Sequence, residues 1–335
     1  MIDMEPSADQ QQIVASVARV LAERLPVTRH RRRILGTDLP AATLREIAEL
    51  GWIGLGVPEA SGGHGMGLVD DVLVCRELGR QLAPLPLLAA SIGARLAAHA
   101  NQPELVRALA TGTSRAGFAL GSHAPDDAST RYLIDAEGAE WIVGFSAQAA
   151  WLMHATVVNQ RAVLPSADPG ARLERGSGGT VRHVVGANAR AEGLLLGSAC
   201  MLGMAEATRD LAVAYASQRE QFDQPIGAFQ AIKHLCADMA LRAESAKCLM
   251  FYAAIGLEKR VAHAAAQAVA AKVIAANACL ENAAANIQIH GGMGFTDEVD
   301  GHLYVKRAQI LERIFGNQRA AQSQLADGAF FRLPT

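Results

Sequence analysis

Several things are scarce in this chain, and each shortage narrows what it can be. Aromatic residues make up 5% of the 335 positions, which favours packed helices over a β-sandwich. Positive charge is not in excess: Lys plus Arg number 31 against 33 Asp plus Glu, for a formal net charge of −2. No global basic field therefore points to nucleic acid. Long apolar runs are missing as well. The longest, Gly193 to Ala205, is too short to span a bilayer and reads as a buried core helix. The five cysteines, Cys75, Cys200, Cys236, Cys248 and Cys279, include no Cys-x-x-Cys pair. Each lies in an apolar helical context, so the expectation is buried, reduced thiols. The residues after Met1 show neither an Arg-rich leader nor an apolar signal core, so the expected location is the cytoplasm.

What the chain has is alanine-rich apolar sequence, 50% hydrophobic overall, in three textures. From Ser7 to about Ala110 the pattern is helical. Ile13, Val14, Val17, Val20 and Leu21 recur at helical spacing, and further helices are predicted over 41–50, over 67–82 and from Leu87 onward. Pro84 and Pro86 are read as the stop of the second of these. From 111 to 186 short β-prone runs, "RAGFALG", "TRYLIDAEG", "EWIVGF", "WLMHATVV" and "RAVLP", are separated by Gly, Asp, Ser and Pro. From 187 to 335 long helices return, predicted over 191–218, 228–255, 261–288 and 303–314, as an antiparallel four-helix bundle. The fold class is mainly α with a small β domain. Its domains are an N-terminal helical domain (1–110), a reduced middle β domain (111–186) and a C-terminal bundle (187–335).

Two stretches carry chemistry suited to a dinucleotide. In "REQFDQPIGAFQAIKHLCADM", Arg219 is a permanent cation fit for a pyrophosphate, and Phe222 offers a flat apolar face to an aromatic ring. Gln230 there, and Gln288 in "QIHGGMGF", can donate to and accept from a heterocycle edge. Gly291 and Gly292 permit close backbone approach and expose N–H groups. Taken singly, each has a plainer explanation: a solvated ion pair of Arg219 with Glu220 or Asp223, a core phenylalanine, a glycine helix stop.

Those two stretches, together with "LGWIGLGVPEASGGHGMGLVDDVLVCRELGR" (50–80), resemble the acyl-CoA dehydrogenase family in the same order, and the resemblance covers nearly the whole chain. It implies FAD as cofactor and an acyl-CoA as substrate. It also implies that Arg219, Gln221, Phe222, Phe229, Gln230, Gln288, Gly291 and Gly292 hold the ADP half of an FAD bound by a neighbouring subunit.

The departures from that pattern bear on function. The family needs a carboxylate to take the α-proton while the flavin accepts hydride from the β-carbon. At the first of its two usual places, the loop "IFGNQ", Phe315 stands where Glu is expected. At the second the count falls on Gly193, with Leu194 where an Arg usually assists substrate binding. Glu192 is one residue off, a turn of about 100° on a helix. Glu312 and Glu206 are more remote candidates. The Thr-Glu-Pro and Gly-Ser-Asp signals of the β domain are absent, with "ALGSHAPDDAS" in their place. Val143 stands where a hydroxyl would meet the flavin. What survives serves a neighbour's FAD, and what is lost serves the chain's own.

The chain therefore resembles the short non-catalytic subunit of the heteromeric (α2β2) dehydrogenases with which actinobacteria shorten steroid side chains. The expected partner is a catalytic acyl-CoA dehydrogenase subunit. Two other readings stay open: a self-sufficient homomeric enzyme with a relocated base, and a flavin-free scaffold. The wide apolar faces of 261–289 are a separate reason to expect an oligomer.

Overall fold

The computed structural model describes residues 5–32, 39–122 and 130–326. The first domain is helical: α1 (Ala8–Arg24), α2 (Ala41–Ala48), α3 (Leu68–Arg80), α4 (Leu85–His99) and α5 (Pro103–Ala110). α1 starts with a reciprocal cap: the Gln10 N–H donates to Ser7 Oγ at 3.2 Å, and the Ser7 N–H donates to Gln10 Oε1 at 3.0 Å. Pro84 and Pro86 open α4 rather than closing α3. Pro84 is the residue before α4 and Pro86 lies in its first turn, where a missing N–H costs nothing.

The middle domain, within the expected 111–186, holds two strands beyond the five β-prone runs. Its seven strands are β1 (Ala116–Ser122), β2 (Arg131–Ile134), β3 (Trp141–Phe145), β4 (Ala150–His154), β5 (Asn159–Leu164), β6 (Leu173–Ser177) and β7 (Val181–Val185). They form one sheet in the order β5-β6-β2-β1-β3-β4-β7, with only β1 and β3 parallel. β6, "LERGS", gave no apolar signal because its buried residues are Gly176 and Glu174, the latter satisfied by Arg161 and Arg172. One sheet face presents Phe118, Val143 and Phe145 to the helices; the other carries a small core of its own around Ile142, Trp151 and Met153.

The last domain holds α6 (Ala187–Gln218), α7 (Gln230–Glu258), α8 (Ala264–His290), α9 (Gly301–Ile314) and the short α10 (Gln318–Ala326). A tight hairpin of β8 (Glu220–Gln221) and β9 (Gln224–Pro225) joins α6 to α7. α3 crosses α6 at backbone contact. A Cβ on Gly79 would lie 1.9 Å from the Cys200 carbonyl oxygen, and one on Gly203 1.8 Å from that of Arg76. One continuous core thus runs through the first domain, the bundle and the bundle-facing side of the sheet.

The bundle departs from two further sequence expectations. The wide apolar face of α8 is consumed within the chain, because α6, α7, α9 and α10 all pack on this helix. It is therefore no reason for an oligomer. Ile274, 38% exposed, is an exception on α8, and more exposed apolar side chains lie on α7, among them Leu241 and Tyr252. The thiols also differ in environment: Cys75, Cys200 and Cys279 are buried, Cys236 is half-buried and Cys248 is exposed, all of them free. Among the described residues no helix is long and apolar enough to cross a membrane.

Candidate functional site

The dinucleotide-type residues gather at one end of the bundle. α6 stops at Gln218, and the chain turns back at once through the β8–β9 hairpin. The hairpin loop is the pair Phe222–Asp223, with φ of 54° and 61°. A two-residue turn with both φ positive matches strand twist, but such turns usually hold Asn or Gly. A phenylalanine held there is strained, and it is not compensated by burial: Phe222 is 86% exposed. Its ring meets Phe229 edge-on, with centroids 6.2 Å apart. Phe229 precedes α7, and Gln230 is the exposed first residue of that helix.

Arg219 closes α6. Its N–H donates to the Tyr215 carbonyl at 2.8 Å, and its carbonyl accepts the Ile226 N–H at 2.8 Å. Its side chain is exposed and makes no ion pair or hydrogen bond among the described residues, so the expected pair with Glu220 or Asp223 does not form. Gln221 is already engaged locally, its amide nitrogen donating to the Glu220 carbonyl at 2.7 Å.

The end of α8 supplies the second arm. Gln288 is exposed on its last turn. Gly291 follows at φ 61° and ψ −137°, a conformation reserved for glycine. A Cβ on Gly291 or Gly292 would meet nothing within 4 Å, so the backbone is open to close approach. A small apolar cluster of Ala212, Ala216, Met239 and Ile289 draws the ends of α6, α7 and α8 together.

Position 315, the first of the expected base positions, is closed. Phe315 is 3% exposed and packs edge-on against Phe145 at 5.1 Å and Phe118 at 5.8 Å. Glycines on α6 make the room. A Cβ on Gly197 would sit 2.4 Å from the Phe315 ring, and one on Gly193 2.9 Å from the Phe145 ring. Val143 and Leu194 are buried in the same core. Behind Phe315 the buried Lys272 donates to the Gly316 carbonyl, and burial pulls the pKa of this lysine down to about 8. Glu312 is spent on the next helix: its Oε1 accepts the Gln318 N–H at 2.7 Å at the start of α10.

The other carboxylates are also committed. Glu192 Oε2 accepts from Arg95 Nη1 at 3.0 Å and from His99 Nε2 at 3.1 Å. Burial acts to raise its pKa, but the hydrogen bonds and charges of His99 and Arg95 outweigh this and hold it below the ordinary value, which makes it a weak base. Glu192 lines a cavity of about 280 Å³ with Gly56, Met66, Arg95, His99 and Arg260, none of which belongs to the Phe315 cluster. Glu206 is 3% exposed and clamped by Arg76 Nε at 2.6 Å and Arg80 Nη1 at 3.2 Å, a structural link between α3 and α6. Among the described residues no cluster of His, Cys, Asp and Glu could hold a metal.

A buried polar joint locks the three domains together. Arg307 on α9 donates to Asp168 in the loop before β6, to the Ala83 carbonyl at 2.9 Å and to the Gly170 carbonyl at 3.2 Å. His30 Nε2 donates to the Leu82 carbonyl at 3.2 Å. Its pKa is pushed down to about 4 by burial, and further by the nearby charges of Arg29 and Arg307.

Residues 7–110 match the acyl-CoA dehydrogenase N-terminal domain and residues 193–330 its C-terminal domain. Acyl-CoA dehydrogenase IpdE2 of Mycobacterium tuberculosis is 33% identical over 271 residues, 79% of this chain and 80% of that protein. The chain belongs to the acyl-CoA dehydrogenase family. Acyl-CoA dehydrogenase FadE34 of the same organism is 35% identical over 285 residues, but the chain spans only 39% of its length. Among solved structures, the ChsE4–ChsE5 complex from M. tuberculosis superposes with a TM-score of 0.83 at 21% identity over 100% of both chains. The Tcur3481–Tcur3483 steroid ACAD superposes at 0.81 and 21%, over 95% of this chain and 97% of that one. At such identities the structures establish the fold.

FAD is the cofactor of this family. The open end of the bundle has groups suited to its ADP half: an arginine with no partner among the described residues, an exposed ring and a glycine turn free of obstruction. The cleft under the sheet does not fit its ring, because Phe145 and Phe315 occupy it. The "ALGSHAPDDAS" stretch lies partly outside the described residues, at 123–129. Sequence reasoning missed the Arg95–Asp71–Glu192 network and the Lys272 contact. Arg95 looks like an ordinary helix residue, and Lys272 is a lone charge in an alanine run whose burial only the packed bundle reveals.

Proposed function

We propose that this chain is the flavin-completing, base-free subunit of a heteromeric acyl-CoA dehydrogenase that introduces an α,β double bond into a CoA thioester. One observation carries the proposal: the bundle that shuts its own cleft with Phe315 leaves Arg219 and Phe222 exposed, the arginine without a partner among the described residues. FAD, when bound, supplies the hydride acceptor. Arg219 sets a charged fork against the pyrophosphate. Phe222 and Phe229 offer faces to the adenine, Gln230 and Gln288 satisfy heterocycle or ribose edges, and the Gly291–Gly292 backbone approaches the phosphates. Gln221 has a smaller part, since one of its donors is already used. No side chain of this subunit takes the α-proton: position 315 is apolar, and Glu192 is tied to Arg95 and His99.

The likeness to a two-chain complex, and to a FadE34 that this chain spans only in part, supports a second subunit. The fold shared with a steroid ACAD supports a steroid-CoA thioester as the substrate class. The absorption spectrum tests the proposal. The purified chain should be colourless alone. It should be yellow when co-purified with a full acyl-CoA dehydrogenase chain encoded beside it, and a steroid-CoA thioester should bleach that complex. A yellow isolated chain bleached by an acyl-CoA would overturn the proposal in favour of a self-sufficient enzyme. Absence of colour in every combination would do so in favour of a flavin-free scaffold.

A further inference from the structure

The two arms of the open end come from separate parts of the sequence, and one pair of rings ties them together. Tyr215 on α6, one turn before Arg219, stacks on His290, the last residue of α8 before Gly291. Their centroids are 4.2 Å apart and their planes 24° from parallel. We infer that the Tyr215–His290 stack is the positioning pair of the dinucleotide cradle, setting the Arg219 hairpin against the Gly291–Gly292 turn. The inference rests on the cofactor reading above and assigns neither residue a contact with the ligand.

Three observations support it. His290 is 7% exposed, and its Nδ1 donates to the Asn286 carbonyl at 2.8 Å, so the ring has a set orientation before Tyr215 meets it. The Tyr215 backbone is bonded to the hairpin: its carbonyl accepts the Arg219 N–H at 2.8 Å, and the Arg219 carbonyl accepts the Ile226 N–H at 2.8 Å. Any rotation of the Tyr215 segment is thereby passed to the arginine. The apolar cluster at the same place, Ala212, Ala216, Met239 and Ile289 with Ile226, Leu235 and Ala285 against it, draws the helix ends together. To this the Tyr215–His290 pair adds a contact with a preferred ring geometry. A cradle for a charged, planar ligand needs its donors pre-set, because each rotor frozen on binding weakens affinity.

The test uses the co-purified complex and the isolated chain side by side, comparing Tyr215→Leu, His290→Leu, Tyr215→Phe and Arg219→Ala. Both leucine variants should bind FAD about 2- to 10-fold more weakly, the range expected for losing one aromatic pair. Tyr215→Phe keeps the ring and should stay within about twofold of the parent. In the isolated chain, amide hydrogen exchange should rise in both arms, 219–226 and 288–295, in the leucine variants alone. If the leucine variants do not fold, His290→Gln, which keeps polarity and length without a ring, serves in their place under the same criteria. Parental FAD affinity and exchange in the ring-deleted variants, with FAD lost in Arg219→Ala, would overturn the positioning role and leave the cofactor reading standing. Parental FAD affinity in Arg219→Ala would remove the cradle itself, and the positioning role with it.

Discussion

At the end of α9 the bundle closes over three phenylalanine rings and leaves Phe315 3% exposed, whereas at the end of α6 it holds Phe222 86% exposed on a positive-φ turn. The same residue type has opposite energetics in the two places. Burying a phenylalanine contributes about 1.5–3 kcal/mol, so Phe315 stabilises the fold by being there. Phe222 gains no such burial in this chain and carries backbone strain. Its exposure and strain, beside an Arg219 that has no partner among the described residues, are what the proposed cofactor role accounts for. The closed end serves folding, and the open end carries the binding role proposed above.

The strongest way to break that contrast is at the closed end. Phe315→Ala should destabilise the isolated chain by about 3–5 kcal/mol in urea titrations, the usual range for an aromatic removed from a packed core. FAD binding by the complex should be unchanged wherever the variant is folded. Phe315→Glu should be destabilised as well, since it places a carboxylate among apolar rings, and it should show no acyl-CoA oxidation. Turnover by this variant with flavin bound would show the cleft to be functional rather than filled.

At the open end the order reverses. Arg219→Ala should leave the melting temperature of the isolated chain unaltered and lower the FAD affinity of the complex by about 10- to 100-fold, the value of a charge-assisted hydrogen bond. Arg219→Lys should recover part of the loss, because it keeps the charge and loses the planar fork. Equal flavin content in all three proteins would end the binding assignment.

The pH dependence sharpens the comparison from the domain joint. The pKa of His30 is depressed to about 4 from 6.5, so the folded chain binds fewer protons than the unfolded chain between those values. The stability it contributes is therefore complete above pH 6.5 and is lost as pH falls from there towards 4. Between pH 7 and 5 the parent should lose about 2 kcal/mol more than His30→Asn does. Parallel losses in the two proteins would show that His30 is not what makes the joint acid-sensitive. The smallest effect is expected from Phe222→Ala, with stability changed by less than about 0.5 kcal/mol. Flavin affinity in the complex should fall by about 2- to 10-fold.

The helices were legible because their apolar spacing is long and uninterrupted, as in the run from Ala264 to His290. The first-domain loop before α3 was legible from its glycines, whereas Pro84 and Pro86 signalled the start of α4 and not the stop they were read as. β6 and β7 were not, since a strand with a buried, arginine-paired Glu174 lacks the alternation that marks a half-buried strand. The candidate cofactor residues were legible as motifs, because an Arg-x-x-Phe turn and a paired glycine each carry local chemistry. Their meeting at one end of the bundle was not, since it depends on the packing of α6, α7 and α8 at Met239 and Ile289.

The sequence by itself determined the helical domains, the Arg-x-x-Phe and paired-glycine motifs, and the absence of a carboxylate at positions 193 and 315, because residue identity and local periodicity are properties of neighbours along the chain. Only the tertiary structure decided that Phe315 fills its cleft, that Glu192 is bound to Arg95 and His99, that α8 spends its apolar faces inside the chain, and that Tyr215 meets His290. Each of these is a contact between elements distant in sequence. Its energy comes from desolvation and close packing, which exist only once the partner surface is in place.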